Sequence, residues 1–431
     1  MSKSRAVWLF GDTPIGGVFG ASYMIESWSR ELRDLGWRTR TFVPSGAWRD
    51  RTRTDQEVRF RSLRHVGYRG DHHARFSTLR ELHRARHDLP DVILVTTPLR
   101  IGLLGMTIAA AHRIPLVIAV STNTTGMAEY YSATRFVATL WPKLATLLAA
   151  SPASRRALFR LSPQLRDGTT TPSQRVASHC VVAVQSDARR LVMLGGGSVP
   201  LYGASVPAER MVVFPAGIDP LPPSPAPADL AWRPGALRVI AVGRYSREKR
   251  LPVLVDAVRA ATDRGVDVHL TLVGHGHEEE ALRQQAARLG IADRVTLTGP
   301  YARAQLQGVY ASADVLAFAS TVDTQAFVLN EAAHEGLPLL VADPDVNPVV
   351  ADGASALVVD QSADGFAGGF AALRDPALRL QLGAGARRRA ARYTEAAQTR
   401  RLSHVLCDAA GLPVPLPAAR RASTPVLAAA E

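Results

Sequence analysis

The sequence predicts two Rossmann-like α/β lobes facing each other across a cleft. Three observations lead there. The chain has 431 residues, too many for one ordinary domain and enough for two or three. Short β-rich runs alternate with longer helical patterns throughout, as parallel strands joined by crossover helices do. A stretch with six prolines, Asp219 to Gly235, opposes both helix and central strand and splits the alternation into two series.

The first lobe is expected at residues 1–218. Its strands read as Val7 to Phe10, Arg38 to Val43, Val92 to Thr96, Leu116 to Ser121, Val181 to Val184 and Val212 to Phe214. The triplet Gly195 to Gly197 reads as a loop after a helix ending near Leu194. Residues 219–235 form an extended linker. The second lobe, 236–411, is the clearer series. Strand Leu237 to Val242 is followed by a helix with apolar residues at 251, 254, 255 and 258, then by a strand ending at Val273. A helix from Glu278, a strand at Val295, a helix from Ala302, a strand at Val315 to Ala319, a helix to His334 and a strand from Leu337 complete it. Residues 412–431 lack sustained periodicity and are expected to be disordered.

With 47% hydrophobic and 21% charged residues, the composition excludes a disordered or fibrous chain. Fifty-one basic residues against 38 acidic ones give +13, which favours anionic partners: nucleic acid, phosphorylated metabolites or acidic lipid. Only Lys3, Lys143 and Lys249 are lysines, so each merits inspection. Cys180 and Cys407 form no ligand pair or disulfide framework, which suits a reducing compartment. The apolar run Ala6 to Phe10 is too short for a signal-peptide core. The longer apolar stretches are broken by His112 and Arg113 or by Pro142 and Lys143. A cytoplasmic location is expected, with the inner face of the membrane as a peripheral site. That second expectation comes from Tyr131 to Arg166, where basic and apolar residues alternate. A core-facing helix pair with a solvated basic face is the preferred reading there, and an anionic membrane surface the alternative. His65, His72, His73, His83 and His87 crowd one region without a cysteine, and read as a solvated helix rather than a metal site.

Three clusters could carry chemistry. In GDTPIGGVFG, after the first strand, Gly16 and Gly17 permit close backbone approach to a ligand, and the following helix start suits phosphate. The pattern is not GxGxxG, so a dinucleotide is disfavoured, and a tight strand-to-helix turn explains it equally well. In GRYSREKR, after the first strand of the second lobe, Arg244 and Lys249 fall beyond the strand's carboxyl end, where a diphosphate would be held. A solvated basic loop is the alternative. The third cluster, STVDTQAFVLNEA, places Asp323 in a loop and Glu331 on the helix after it. The helix N-terminus at Gln325, Ala326, Phe327 and Val328 points into the same cleft. Backbone N–H groups can take phosphate oxygens while the carboxylates accept from hydroxyls, a layout for a sugar nucleotide. No GxSxG elbow suggests a serine hydrolase.

Taken in order, GGVFG, GRYSREKR, VGHGHEEEAL, VTLTGPYARAQLQGVYASADVLAFAS and DTQAFVLNEAAHEGLPLLV resemble glycosyltransferase family 4. The resemblance implies the GT-B fold, a nucleotide-sugar donor, a hydroxyl acceptor and retaining transfer of a hexosyl group. By it, Arg244 and Lys249 clamp the donor diphosphate, Glu331 binds ribose hydroxyls and Asp323 contacts the sugar. Gly16 and Gly17 approach the phosphate and reacting centre from the first lobe. Several residues depart from the pattern. Asp323 stands where Glu is usual, Ala326 for a common Gly, His275 for an Asp and Ala216 for a frequent Arg. Ser121 takes the place of a His that contacts the sugar; it can donate a hydrogen bond but carries no charge at neutral pH. By the same resemblance Arg244, Lys249 and the helix N-terminus hold the diphosphate without a metal, so neither metal nor other cofactor is expected, nor is nucleic acid a partner. Two other functions share this architecture: a non-catalytic sugar-nucleotide-binding protein, suggested by Ser121, and a sugar-nucleotide epimerase.

Overall fold

A computed structural model describes residues 5–16, 20–45, 54–60, 62–64, 72–74, 88–97, 100–121, 185, 187–203, 206–224 and 226–414. The first lobe begins with β1 (Ala6–Phe10), α1 (Gly20–Asp34), β2 (Arg38–Pro44) and β3 (Glu57–Phe60). A small antiparallel pair follows, β4 (Ser62–Arg64) with β5 (His72–Ala74). The series continues with β6 (Val92–Val95), α2 (Arg100–His112), β7 (Leu116–Val120), β8 (Arg190–Met193) and β9 (Met211–Val213). Seven of these strands form one parallel sheet in the order β3-β2-β1-β6-β7-β8-β9. Alternation along β1 sorts its two faces: Trp8 and Phe10 join a core with α2 residues Ile101 and Leu104. Val7 and Leu9 join one with α1 residues Ile25 and Trp28.

The second lobe runs β10 (Leu237–Val242), α3 (Leu251–Asp263), β11 (Val268–Val273), α4 (Glu279–Arg288), β12 (Val295–Leu297), α5 (Arg303–Ala311) and β13 (Val315–Phe318). Then come α6 (Phe327–Glu335), β14 (Leu339–Val341), β15 (Ala356–Val358), α7 (Ala363–Ala372), α8 (Pro376–Ala390) and α9 (Glu395–Ala410). Its parallel sheet has the order β12-β11-β10-β13-β14-β15. The order reverses at β1/β6 in one lobe and at β10/β13 in the other, and ligands of open α/β sheets bind beyond the carboxyl ends at such points.

Two expectations are corrected. Residues 236–411 do not all belong to the second lobe, because α9 packs on the first. Leu402, Leu406 and Cys407 are fully buried in the core formed by β1 and α1, and the Trp37 indole donates to Ser403 Oγ at 2.9 Å. The apolar stripe of α9 is visible in the sequence; the sheet it covers is set by tertiary packing. The glycines at 195–197 follow a strand, not a helix, since Arg190–Met193 pairs with β7. The described residues of the proline-rich linker form no helix or strand, as expected, and the linker is anchored: Leu221 and Leu230 are buried in the second lobe's core. Gly17, residues 131–166, Val181 to Val184, residues 415–431 and His65, His83 and His87 lie outside the described residues, as do the side chains of His72 and His73. Among the described residues, no helix is long and apolar enough to cross a membrane.

Candidate active site

The loop after β10 turns through a short 3-10 segment, Arg247–Lys249, and delivers Lys249 beside Asp323 from the loop after β13. Lys249 Nζ lies 2.7 Å from Asp323 Oδ1 and 2.9 Å from Oδ2, with side chains only 18% and 22% exposed. It also stands 5.7 Å from the Phe318 ring centroid. Burial raises the Asp323 carboxyl, but the Lys249 ammonium, supported by Arg244, outweighs it and holds the group below its ordinary range.

Because that pKa is depressed, the pair's stabilisation is present at neutral pH and fades as pH falls below about 4. Asp323→Asn is therefore expected to cost about 2 kcal/mol at pH 7, since it strands a largely buried ammonium. In urea unfolding the gap to the parent should narrow toward pH 3; a gap constant across that range would contradict the ion pair.

Arg244 is held by a residue the sequence reading passed over. Its Nη2 donates to Glu248 Oε1 at 3.1 Å, and Ser246 Oγ donates to the same oxygen at 2.7 Å. Glu248 is buried, so the guanidinium gains a fixed orientation at the pocket lined by Gly243, Lys249 and Phe318. The signal was the spacing of four between Arg244 and Glu248.

Glu331 sits one turn into α6 and is 7% exposed. The Tyr310 hydroxyl donates to its Oε2 at 2.8 Å, and Arg303 Nη1 donates to its Oε1 at 3.1 Å. Burial, and then the adjacent carboxylate, push the Tyr310 phenol well above its ordinary value, so it stays a donor. Neither partner had a local sequence signal, as they lie 21 and 28 residues away.

Of the remaining expected residues, Ser121, Gln325 and Phe327 make contacts across the seam between lobes, in unequal roles. Ser121 directly follows β7; its hydroxyl donates to the Thr96 carbonyl at 2.6 Å, and its own carbonyl accepts from Thr324 Oγ1 of the second lobe at 2.8 Å. Gln325 exchanges two hydrogen bonds with the Ala216 backbone at the end of the first lobe, so its carboxamide ties the two lobes together. Ala326 precedes α6 without a side-chain cap, leaving the helix start to backbone N–H groups. The Phe327 ring packs against Tyr23 of α1. Gly195 has its own reason to be glycine, since a Cβ would stand 2.4 Å from the Thr324 carbonyl oxygen. Gly16 is exposed at φ +71°, a left-handed conformation that favours glycine.

Comparison with known proteins bears on the family and the fold. Residues 19–217 match the family described as glycosyl transferase 4-like domain, and residues 236–375 that described as glycosyl transferases group 1. A D-inositol 3-phosphate glycosyltransferase of Nocardia farcinica is 32% identical over 196 residues, covering 42% of each chain. The chain thus spans about two-fifths of that relative's length. An alpha-monoglucosyldiacylglycerol synthase of Streptococcus pneumoniae is 24% identical over 348 residues, covering 80% of this chain and 73% of the relative. Among solved structures, the sucrose-phosphate synthase of Thermosynechococcus elongatus superposes with a TM-score of 0.67 at 16% identity, covering 93% of this chain and 98% of its own. HepE of Anabaena, in complex with UDP and glucose, gives 0.62 at 18% identity, covering 94% and 99%. These likenesses establish the fold.

Proposed function

The chain belongs to the family 4 glycosyltransferases of GT-B fold, and from that premise we propose that it transfers a hexosyl group from a UDP- or GDP-sugar to a hydroxyl acceptor with retention. The observation that carries this reading is the Lys249–Asp323 pair beside Arg244 in the loops after β10 and β13, with Glu331 on the helix that follows. Cations there suit a diphosphate, and the uncapped start of α6 adds backbone donors. Asp323 suits sugar hydroxyls and Glu331 those of ribose.

In same-face transfer the bond from the anomeric carbon to the diphosphate oxygen breaks as the acceptor oxygen bonds that carbon. The acceptor's proton passes to the departing diphosphate oxygen. The protein's part is positioning and stabilising the charge that develops on the diphosphate, which Lys249 and Arg244 can do without a metal. One relative is named for D-inositol 3-phosphate and another for monoglucosyldiacylglycerol. Both names support a small hydroxylated acceptor or a glycolipid over a nucleic acid; a polysaccharide precursor or natural product fits the same chemistry.

A second reading, a sugar-nucleotide-binding protein without transfer, draws on Ser121, whose hydroxyl is already engaged with Thr96. One experiment separates them: a binding screen of UDP- and GDP-sugars, then mass spectrometry of products in a cell extract with and without EDTA. Transfer from a bound donor, undiminished by EDTA, is expected. Binding with neither transfer nor donor hydrolysis would favour the second reading, and loss in EDTA restored by Mg²⁺ or Mn²⁺ would refute metal independence.

A further inference from the structure

Arg303 lies in the first turn of α5 and reaches two ways. Its Nη1 donates to Glu331 Oε1 at 3.1 Å, and its guanidinium carbon stands 4.3 Å from the centroid of Tyr23 in the other lobe. Tyr23 also meets the Phe327 ring edge-on, with centroids 6.0 Å apart and planes at 74°. One turn earlier, Gly20 fits against the same ring, where a Cβ would stand 3.1 Å from Phe327 Cδ2. The Tyr23 ring is therefore in contact with two second-lobe side chains: the first residue of α6 and the arginine bonded to Glu331.

We propose that Tyr23 and Arg303 form an interlobe latch that orients Glu331 when the lobes are closed, so that nucleotide recognition and closure become one event. This rests on the donor reading above. The two donors to Glu331 differ in how they are held. Tyr310 is fully buried within the second lobe and keeps its bond whatever the lobes do. The Arg303 side chain is 40% exposed on a long flexible stem, and the Tyr23 face fixes its plane. When the lobes part, Tyr23 leaves, Arg303 regains its rotamers, and Glu331 loses the donor to Oε1. Arg303 is thus a positioning residue acting through Glu331.

The test combines small-angle X-ray scattering of the ligand-free full chain with calorimetric titration of UDP and GDP. Tyr23→Leu and Arg303→Gln should each increase the radius of gyration. Each should weaken whichever diphosphate the parent binds by about fivefold, and the double variant should be no worse than either single. Tyr23→Phe keeps the ring and should match the parent. Arg303→Gln, on a half-exposed turn, gives a second reading if Tyr23→Leu disturbs folding. An unchanged radius in both variants, or losses that simply add, would overturn the latch. A parent chain that binds neither diphosphate overturns the donor reading and the coupling to it; the scattering, which needs no ligand, then still decides whether the interlobe contact holds the lobes closed.

Discussion

Lys249→Ala is expected to weaken binding of UDP or GDP about a hundredfold, equivalent to about 3 kcal/mol. Two effects act in the same direction. The variant loses a charge-assisted contact to phosphate, and it leaves Asp323, which now sits within 2.7 Å of the ammonium, as an unmatched negative charge. The second effect gives the prediction its signature: adding Asp323→Ala should recover part of the lost affinity for the bare diphosphate, because the stranded carboxylate is gone. Calorimetry with the nucleotide alone reads both. Unchanged affinity in Lys249→Ala would remove this residue from the diphosphate site.

Glu331→Ala should weaken UDP or GDP and the full sugar donor alike, by tenfold or more, because the carboxylate is assigned to ribose, which both contain. It should also lower stability by about 2 kcal/mol, since the buried Tyr310 hydroxyl loses its acceptor. Glu331→Gln separates the two consequences: an amide oxygen can still accept from Tyr310, so most stability should return, while affinity stays low. A loss confined to the sugar-bearing donor would contradict the ribose assignment.

Most of the parallel strands were legible in the sequence because buried strands are short β-branched runs, as in Leu237–Val242 and Val268–Val273. Glu57–Phe60, Arg190–Met193 and Ala356–Val358 were not read as strands. The position of Lys249 and Asp323 was legible for a related reason: both follow such strands directly, and the carboxyl ends of parallel strands define the binding edge. What could not be read were pairings between distant segments. Nothing local announces that Gln325 bonds the Ala216 backbone, or that Arg303 reaches both Glu331 and Tyr23. The last helix shows the same limit. Its stripe of Leu402, Leu406 and Cys407 declares a buried face, but either lobe could have supplied the cover. Likewise Gly195 looked like loop glycine, and only the 2.4 Å approach to Thr324 gives it a purpose at the seam between lobes.

The central claim is retaining transfer from a nucleotide sugar held by Lys249, Arg244 and Glu331. It is tested most directly by proton NMR of the product formed from an α-linked nucleotide sugar, read at the anomeric coupling. The predicted result is an α-linked product, formed by the parent chain and greatly reduced with Lys249→Ala. A β-linked product, or transfer that proceeds equally well without Lys249, would contradict the account.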